Sequence, residues 1–357
     1  MRAVLAGAVL AFLLGGISAG HAGTRAEQIL ERFGNANKWR DHVMVVAHRG
    51  GLAAGKTLYP ENSIASVRGV IALGAEMVEI DVRRSRDGEL VVMHDSWLDR
   101  TTSCKGEVIA RTLEELRRCY LVVEGTGRVT SEPVPTLREM LGVTKGRILV
   151  NLDNKLETAD LVDMVALARD MGMEEQVVVK ANLWDAERAA TVKETMRQVG
   201  AGFQFMPIIA DDAVRDASFV EAVSHKFSAS AVEMIAWRGD AKAMTDTGGP
   251  LFSGKMRAAA IRGNWHIWVD THAIVNKPGG FLSGGRGDEL AVAAGFPDET
   301  FGFWAERGAT MIQTDEPDAA IQWLAANGYR APYADVDEAI ASVTGQGTPG
   351  PHEQPTN

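Results

Sequence analysis

The stretch "VMVVAHRGGLAAGKTLYPENS", residues 43–63, sets how the rest of the chain is read. An apolar run of strand length, 43–48, ends on His48 and Arg49. A glycine-bearing segment follows, then Pro60-Glu61-Asn62, then a helical pattern over 63–73. The unit is strand, loop, helix, and it recurs. Apolar runs at 77–82, 89–94, 147–153, 176–180, 203–208, 231–235, 266–270 and 310–314 alternate with amphipathic segments at 112–118, 136–143, 158–171, 184–199, 213–224 and 299–307. Such alternation predicts an α/β fold, a parallel sheet covered by helices. With 357 residues, 46% of them hydrophobic, the chain suffices for a single-domain (β/α)8 barrel. Nine strand candidates compete for eight positions, so one is spurious or lies outside the barrel. The poorest patterns are 203–208, which contains Pro207, and 231–235.

The net charge of −10 excludes nonspecific nucleic-acid binding as a function. Residues 1–22 join the basic Arg2 to an apolar stretch over 3–16 and end at Gly20-His21-Ala22. This predicts a cleaved signal peptide. The competing reading, an uncleaved anchor, asks for a longer span than this Ala- and Gly-rich run supplies. The expected location is periplasmic or secreted, with no stable membrane anchor. In an oxidising compartment the two cysteines, Cys104 and Cys119, would pair; the alternative is two unrelated thiols. The expected organisation is a signal peptide (1–22), a lead-in (23–42), the barrel (43–330) and a tail (331–357), disordered from about residue 345 for want of apolar residues. The Gly-rich segment 276–288 reads as a mobile flap. The sequence sets no oligomeric state.

Polar residues cluster at strand ends. Glu79 and Asp81 in "VEIDV" are two apart and share a face, as do Asn151, Asp153 and Lys155 in "ILVNLDNK" and Trp268 and Asp270 in "HIWVD". His94 ends "LVVMH". In a parallel barrel these strand ends form the functional face. Burying several carboxylates together is prohibitive unless a cation offsets them. Glu61, Glu79, Asp81 and Asp153 therefore read as oxygen ligands for one hard divalent cation, Mg²⁺ or Ca²⁺. Arg49 and Lys155 add donors for an anion, above all a phosphate. His48 and His94 can serve as general base and general acid. The set reads as a metal-assisted phosphodiester-cleaving site acting on a small molecule.

These residues fall in an ordered series: "HRG" 48–50, "PEN" 60–62, "EID" 79–81, "HD" 94–95, "LDRTT" 98–102, "PTL" 135–137, "NLDNK" 151–155, "WVDT" 268–271 and "QTDEP" 313–317. The series resembles the glycerophosphodiester phosphodiesterases of the TIM-barrel phosphodiesterase superfamily, over residues 43–320, most of the mature chain. The resemblance implies a TIM barrel and metal-dependent hydrolysis of glycerophosphodiesters to glycerol 3-phosphate and an alcohol. His48 and His94 would be the catalytic pair. Glu61, Glu79, Asp81 and Asp153 would hold the metal, and Arg49 and Lys155 the phosphate. Asn62 would orient the site or cap the following helix. The chain departs from the family pattern at Asp153, where Glu is usual, and at Asp270, where Asn is frequent. Lys180 would contact the phosphate or a second anionic group, or else be a surface lysine. Trp268 would pack against the substrate, or else fill the barrel core. Alternatives with the same chemistry are a lysophospholipid, sphingolipid or sugar phosphodiester as substrate (a phospholipase D-like activity). A non-catalytic binding protein on the same barrel is the alternative of another class.

Overall fold

The computed structural model describes residues 23–51, 58–239, 243–275 and 277–334. The expected signal peptide, 1–22, and the tail from 335 lie outside the described residues. Thr24–Tyr333 form one compact unit.

Eight parallel strands close into a barrel: β1 (Met44–His48), β2 (Met77–Arg84), β6 (Leu149–Asn154), β7 (Val177–Asn182), β8 (Gln204–Ala210), β9 (Ala231–Ile235), β10 (His266–Asp270) and β11 (Met311–Thr314). The ring closes because β1 pairs with both β2 and β11, in register Val46↔Met77 and Met44↔Met311. Both strands with poor patterns belong to the ring. In β8, Pro207 precedes the first pair with β9, Ile208↔Glu233.

The strand outside the ring is the run at 89–94. Its core, β3 (Leu90–Val92), pairs antiparallel with the end of β2. Only residues 85–89 connect the two. A parallel crossover needs about a dozen residues or more, so this connection makes a hairpin, turning at Gly88 (φ +94°). The chain then makes an excursion that contains a second hairpin, β4 (Tyr120–Val123) with β5 (Arg128–Pro133). The excursion has its own small core, including Leu98, Leu116 and Leu121, and the Cys104–Cys119 disulfide.

Strand alternation divides the residues between two layers. Outward positions such as Val45, Ala47, Val78, Ile80, Val150 and Leu152 pack under the surrounding helices. Inward positions form a lower apolar layer of Met44, Val46, Met77, Leu149, Val178, Met206, Ala231, Trp268 and Met311. Helix α1 (Arg25–Gly34), started by a Thr24–Glu27 capping box, inserts Ile29 and Phe33 into this layer from below. Arg32 of α1 donates to the carbonyls of Ala331 and Pro332 and lies over the Tyr333 ring. The barrel unit therefore includes α1 and reaches Tyr333, wider than the expected 43–330.

Continuing upward on the same inner faces, the next residues are His48, Glu79 and Asp81, Asn151 and Asp153, Lys180, Glu233, Asp270 and Gln313. An apolar floor below a charged ceiling is what the period-two pattern builds when a strand changes composition at its C-terminal end.

Candidate active site

The turn after β1 explains the glycines of the opening motif. Arg49, Gly50 and Gly51 all have left-handed backbones (φ 52°, 89° and 72°). A Cβ on Gly50 would sit 2.2 Å from Ser66 Oγ, and one on Gly51 2.6 Å from the Pro317 ring. Only glycine fits either place. The Gly51 N–H donates to the His48 carbonyl (2.7 Å) and the Asn62 N–H to that of Arg49 (2.7 Å), so the turn aims His48 and Arg49 into the mouth.

Glu79, Asp81 and Asp153 each offer a carboxylate oxygen, all within 4.8 Å of one another. Burial pushes the Glu79 carboxyl up to about 8, reinforced by the neighbouring Asp81. Burial would also raise Asp81, but Lys155 and Arg49 overcome it and hold that carboxylate well below its ordinary range. Lys155 Nζ stands 2.8 Å from Asp153 and 3.1 Å from Asp81. Asp81 Oδ1 is buried and faces the Lys155 ammonium at 3.1 Å with no hydrogen bond of good geometry, and the three carboxylates offer only hard oxygens. The set fits a divalent cation of the Mg²⁺ or Ca²⁺ type. Asn62 resolves its two readings: its amide donates to Asp81 Oδ2 (2.7 Å) and its carbonyl accepts from the Asp81 N–H. The helix cap is Ser63, at the start of α2 (Ile64–Leu73).

The expected fourth ligand, Glu61, stands apart. Arg100 forks both its oxygens at 2.8 Å, and Arg49 adds contacts at 3.3 Å. Fully matched by two guanidinium groups, Glu61 anchors arginines, and the cation cluster contains three carboxylates instead of four. Arg100 also forks Asp95, tying the excursion to the loop after β1.

Each histidine leans on a carboxylate. His48 Nδ1 lies 2.7 Å from Asp315 Oδ1, and His94 Nδ1 lies 2.7 Å from Asp95 Oδ1. An ionised carboxylate only accepts, so Nδ1 carries the proton and Nε2 is free for chemistry. Burial, then Arg49, holds His48 well below the ordinary histidine range, which keeps it neutral. The His272 ring stacks on His48 with centroids 3.7 Å apart, and its Nδ1 is buried without a hydrogen-bond partner among the described residues. A cavity of about 330 Å³ opens beside this pair, lined by His48, Arg49, Glu61, Arg100, Glu124 and Asp315.

One expected substrate contact is corrected. Trp268 is fully buried in the lower apolar layer, where its Nε1–H donates to Asp270 (2.8 Å); it fills the core and offers no surface to a substrate. Lys180 is buried and paired with Glu233 at 3.1 Å, so it is an inward-facing lysine and not a surface one. The Gly-rich segment is not a loose flap over its described part, 277–288. Ser283, Arg286 and Asp288 are buried, and Asp288 accepts from Thr314 Oγ1 and the Asp315 N–H, both at 2.8 Å. Asp315, Asp95, Arg100, Glu233 and His272 were missed as site residues. Asp315, Asp95 and Arg100 lie within "QTDEP", "HD" and "LDRTT", and Glu233 interrupts the apolar "AVEMI".

A family profile, the glycerophosphoryl diester phosphodiesterase family, matches residues 48–201. The likeness to that family is carried by those residues. The matched stretch holds His48, Arg49, Glu61, Glu79, Asp81, His94, Asp153 and Lys155; Glu233, His272 and Asp315 lie beyond it. A glycerophosphodiester phosphodiesterase of Caldanaerobacter subterraneus is 33% identical over 144 residues, 39% of this chain and 58% of that one. The chain thus spans somewhat over half the length of that relative. A glycerophosphoryl diester phosphodiesterase structure from Parabacteroides distasonis shares the fold (TM-score 0.61, 18% identity, 86% of this chain and 94% of that one). So does an Oleispira antarctica phosphodiesterase bound to its product sn-glycerol 3-phosphate (TM-score 0.51, 17% identity, 79% and 96%).

Proposed function

We propose that this protein hydrolyses glycerophosphodiesters to glycerol 3-phosphate and an alcohol, with one Mg²⁺ or Ca²⁺ held by Glu79, Asp81 and Asp153. The observation that carries the reading is the pairing of two histidine–aspartate dyads, His48–Asp315 and His94–Asp95, with the three-carboxylate cluster at one barrel mouth. The family match and the product named for the Oleispira relative support the substrate class. The bound cation would polarise the phosphoryl oxygens. His48, buried and neutral, takes the proton of the attacking hydroxyl at Nε2. His94, acting in its imidazolium form with Nδ1–H on Asp95, gives its Nε2 proton to the departing alcohol oxygen and is left neutral. Arg49 and Lys155 neutralise the phosphate. Export from the cytoplasm is proposed on the pattern of residues 1–22; among the described residues no helix is long and apolar enough to cross a membrane.

The test is a substrate panel of glycerophosphocholine, glycerophosphoethanolamine, lysophosphatidylcholine and sphingomyelin, with release of choline or ethanolamine measured for all four and of glycerol 3-phosphate for the first two. Turnover confined to the first two is expected. Turnover of the lysolipid or sphingolipid alone would transfer the same chemistry to a lipid substrate, and none at all would overturn the reading.

A further inference from the structure

The upper ring of the barrel carries one cation that the phosphate chemistry does not use. Lys180 projects inward from β7, buried, with Nζ 3.1 Å from Glu233 Oε2 and 4.0 Å from Asp153 Oδ2. Glu233 comes from β9, so the ion pair passes over the intervening strand β8. Next along the ring, Asp270 of β10 is fixed by the Trp268 Nε1–H at 2.8 Å, and the neighbouring Glu233 acts on it electrostatically. A line of groups thus runs Trp268, Asp270, Glu233, Lys180 and ends at Asp153, one edge of the carboxylate cluster.

Asp153 is the exposed member of that cluster, with 29% of its side chain accessible against 1% for Asp81, and Lys155 already contacts it at 2.8 Å. A second ammonium closing on the same carboxylate would compete with a divalent cation for its oxygens. Glu233 is the group that draws Lys180 the other way.

We propose that Glu233 is a positioning residue for the cation site, holding Lys180 off Asp153 so that Asp153 is left to the metal. The inference rests on the reading of Glu79, Asp81 and Asp153 as that site. Glu233 lies outside the three-carboxylate cluster and acts on it through Lys180.

Isothermal titration of metal-free protein with Mg²⁺ and with Ca²⁺ tests this without any turnover. Glu233→Gln releases Lys180 and is expected to weaken cation binding about tenfold, the lower end for groups that orient metal ligands. Lys180→Met removes the competitor and is expected to tighten binding. In the Lys180→Met background, Glu233→Gln is expected to change nothing further. Wild-type affinity in Glu233→Gln overturns the proposal, as does an equal loss with and without Lys180. If Glu233→Gln does not fold, by circular dichroism, Lys180→Met decides alone, and unchanged or weaker binding overturns it. A wild-type protein that takes up neither cation removes the metal reading itself, an outcome distinct from cation binding that ignores both substitutions.

Discussion

His48 and Asp315 meet at 2.7 Å although 267 positions separate them in the chain. The first barrel strand supplies the imidazole and the turn after the last supplies the carboxylate. Asp315 is itself held: its N–H donates to Asp288, and its Oδ2 accepts from the Ala273 N–H at 3.2 Å. The carboxylate therefore fixes both the tautomer and the direction of His48.

Replacing Asp315 by Asn keeps the shape and removes the charge that selects the tautomer. The kcat for glycerophosphocholine is expected to fall on the order of 10²–10⁴-fold, with KM little changed. Steady-state kinetics on the folded variant measure it. A kcat near wild type would detach Asp315 from the chemistry.

The two histidines should act as one unit. His48→Ala and His94→Ala are each expected to lower kcat about 10²–10⁴-fold, and the double variant little further. If either single variant keeps wild-type kcat, that imidazole is not a proton carrier.

Chelation is expected to abolish turnover, and added Mg²⁺ or Ca²⁺ to restore it. In Asp81→Asn the recovery should fail, because one of three ligands has lost its charge and Lys155 and Arg49 have lost their shared partner. Activity in chelator-treated protein at the untreated level would remove the metal from the mechanism.

Acid stability tests the floor of the barrel, away from the catalytic mouth. Glu76 is buried, doubly paired with Arg330 (2.7 and 3.0 Å), and accepts from the Val45 N–H. Burial alone would raise its carboxyl, yet Arg330 and His42 bring it down to about 2 from an ordinary 4.5. A lowered folded-state value stabilises the fold above pH 4.5, and that contribution drains away as pH falls from 4.5 towards 2. It amounts to about 3 kcal/mol. The stability gap between wild type and Glu76→Gln, from urea unfolding, is expected to shrink across this interval. A gap independent of pH would refute the assignment.

Most of the ring was readable because strand alternation reports which face a residue occupies. It does not report depth. Trp268 and Asp270 share the inner face, but two residues along a tilted strand separate the apolar floor from the charged mouth, so Trp268 went to the wrong layer. Periodicity also ends where strands end, which hid His272 and Asp315: their placement depends on loop turns. Glu61 showed its charge but not its partner, since Arg100 arrives from the excursion beyond β3. The hairpin at 85–89 was missed: poor patterns pointed to 203–208 and 231–235 as the odd strand, whereas the short connection after β2 decides it. Glu233 stood visible as an acid in an apolar run; its meaning needed Lys180, two strands away around the ring.

The seam between β1 and β11 has a consequence for synthesis. A nascent chain can pair β1 with β2 early, but β1 waits for its second neighbour until residues 311–314 have emerged. The His48–Asp315 dyad is assembled by that same closure. Products of premature termination before residue 315 therefore lack the carboxylate that orients His48, however well their earlier strands are formed. On the proposed mechanism, a fragment that stops short of residue 315 is expected to be catalytically impaired.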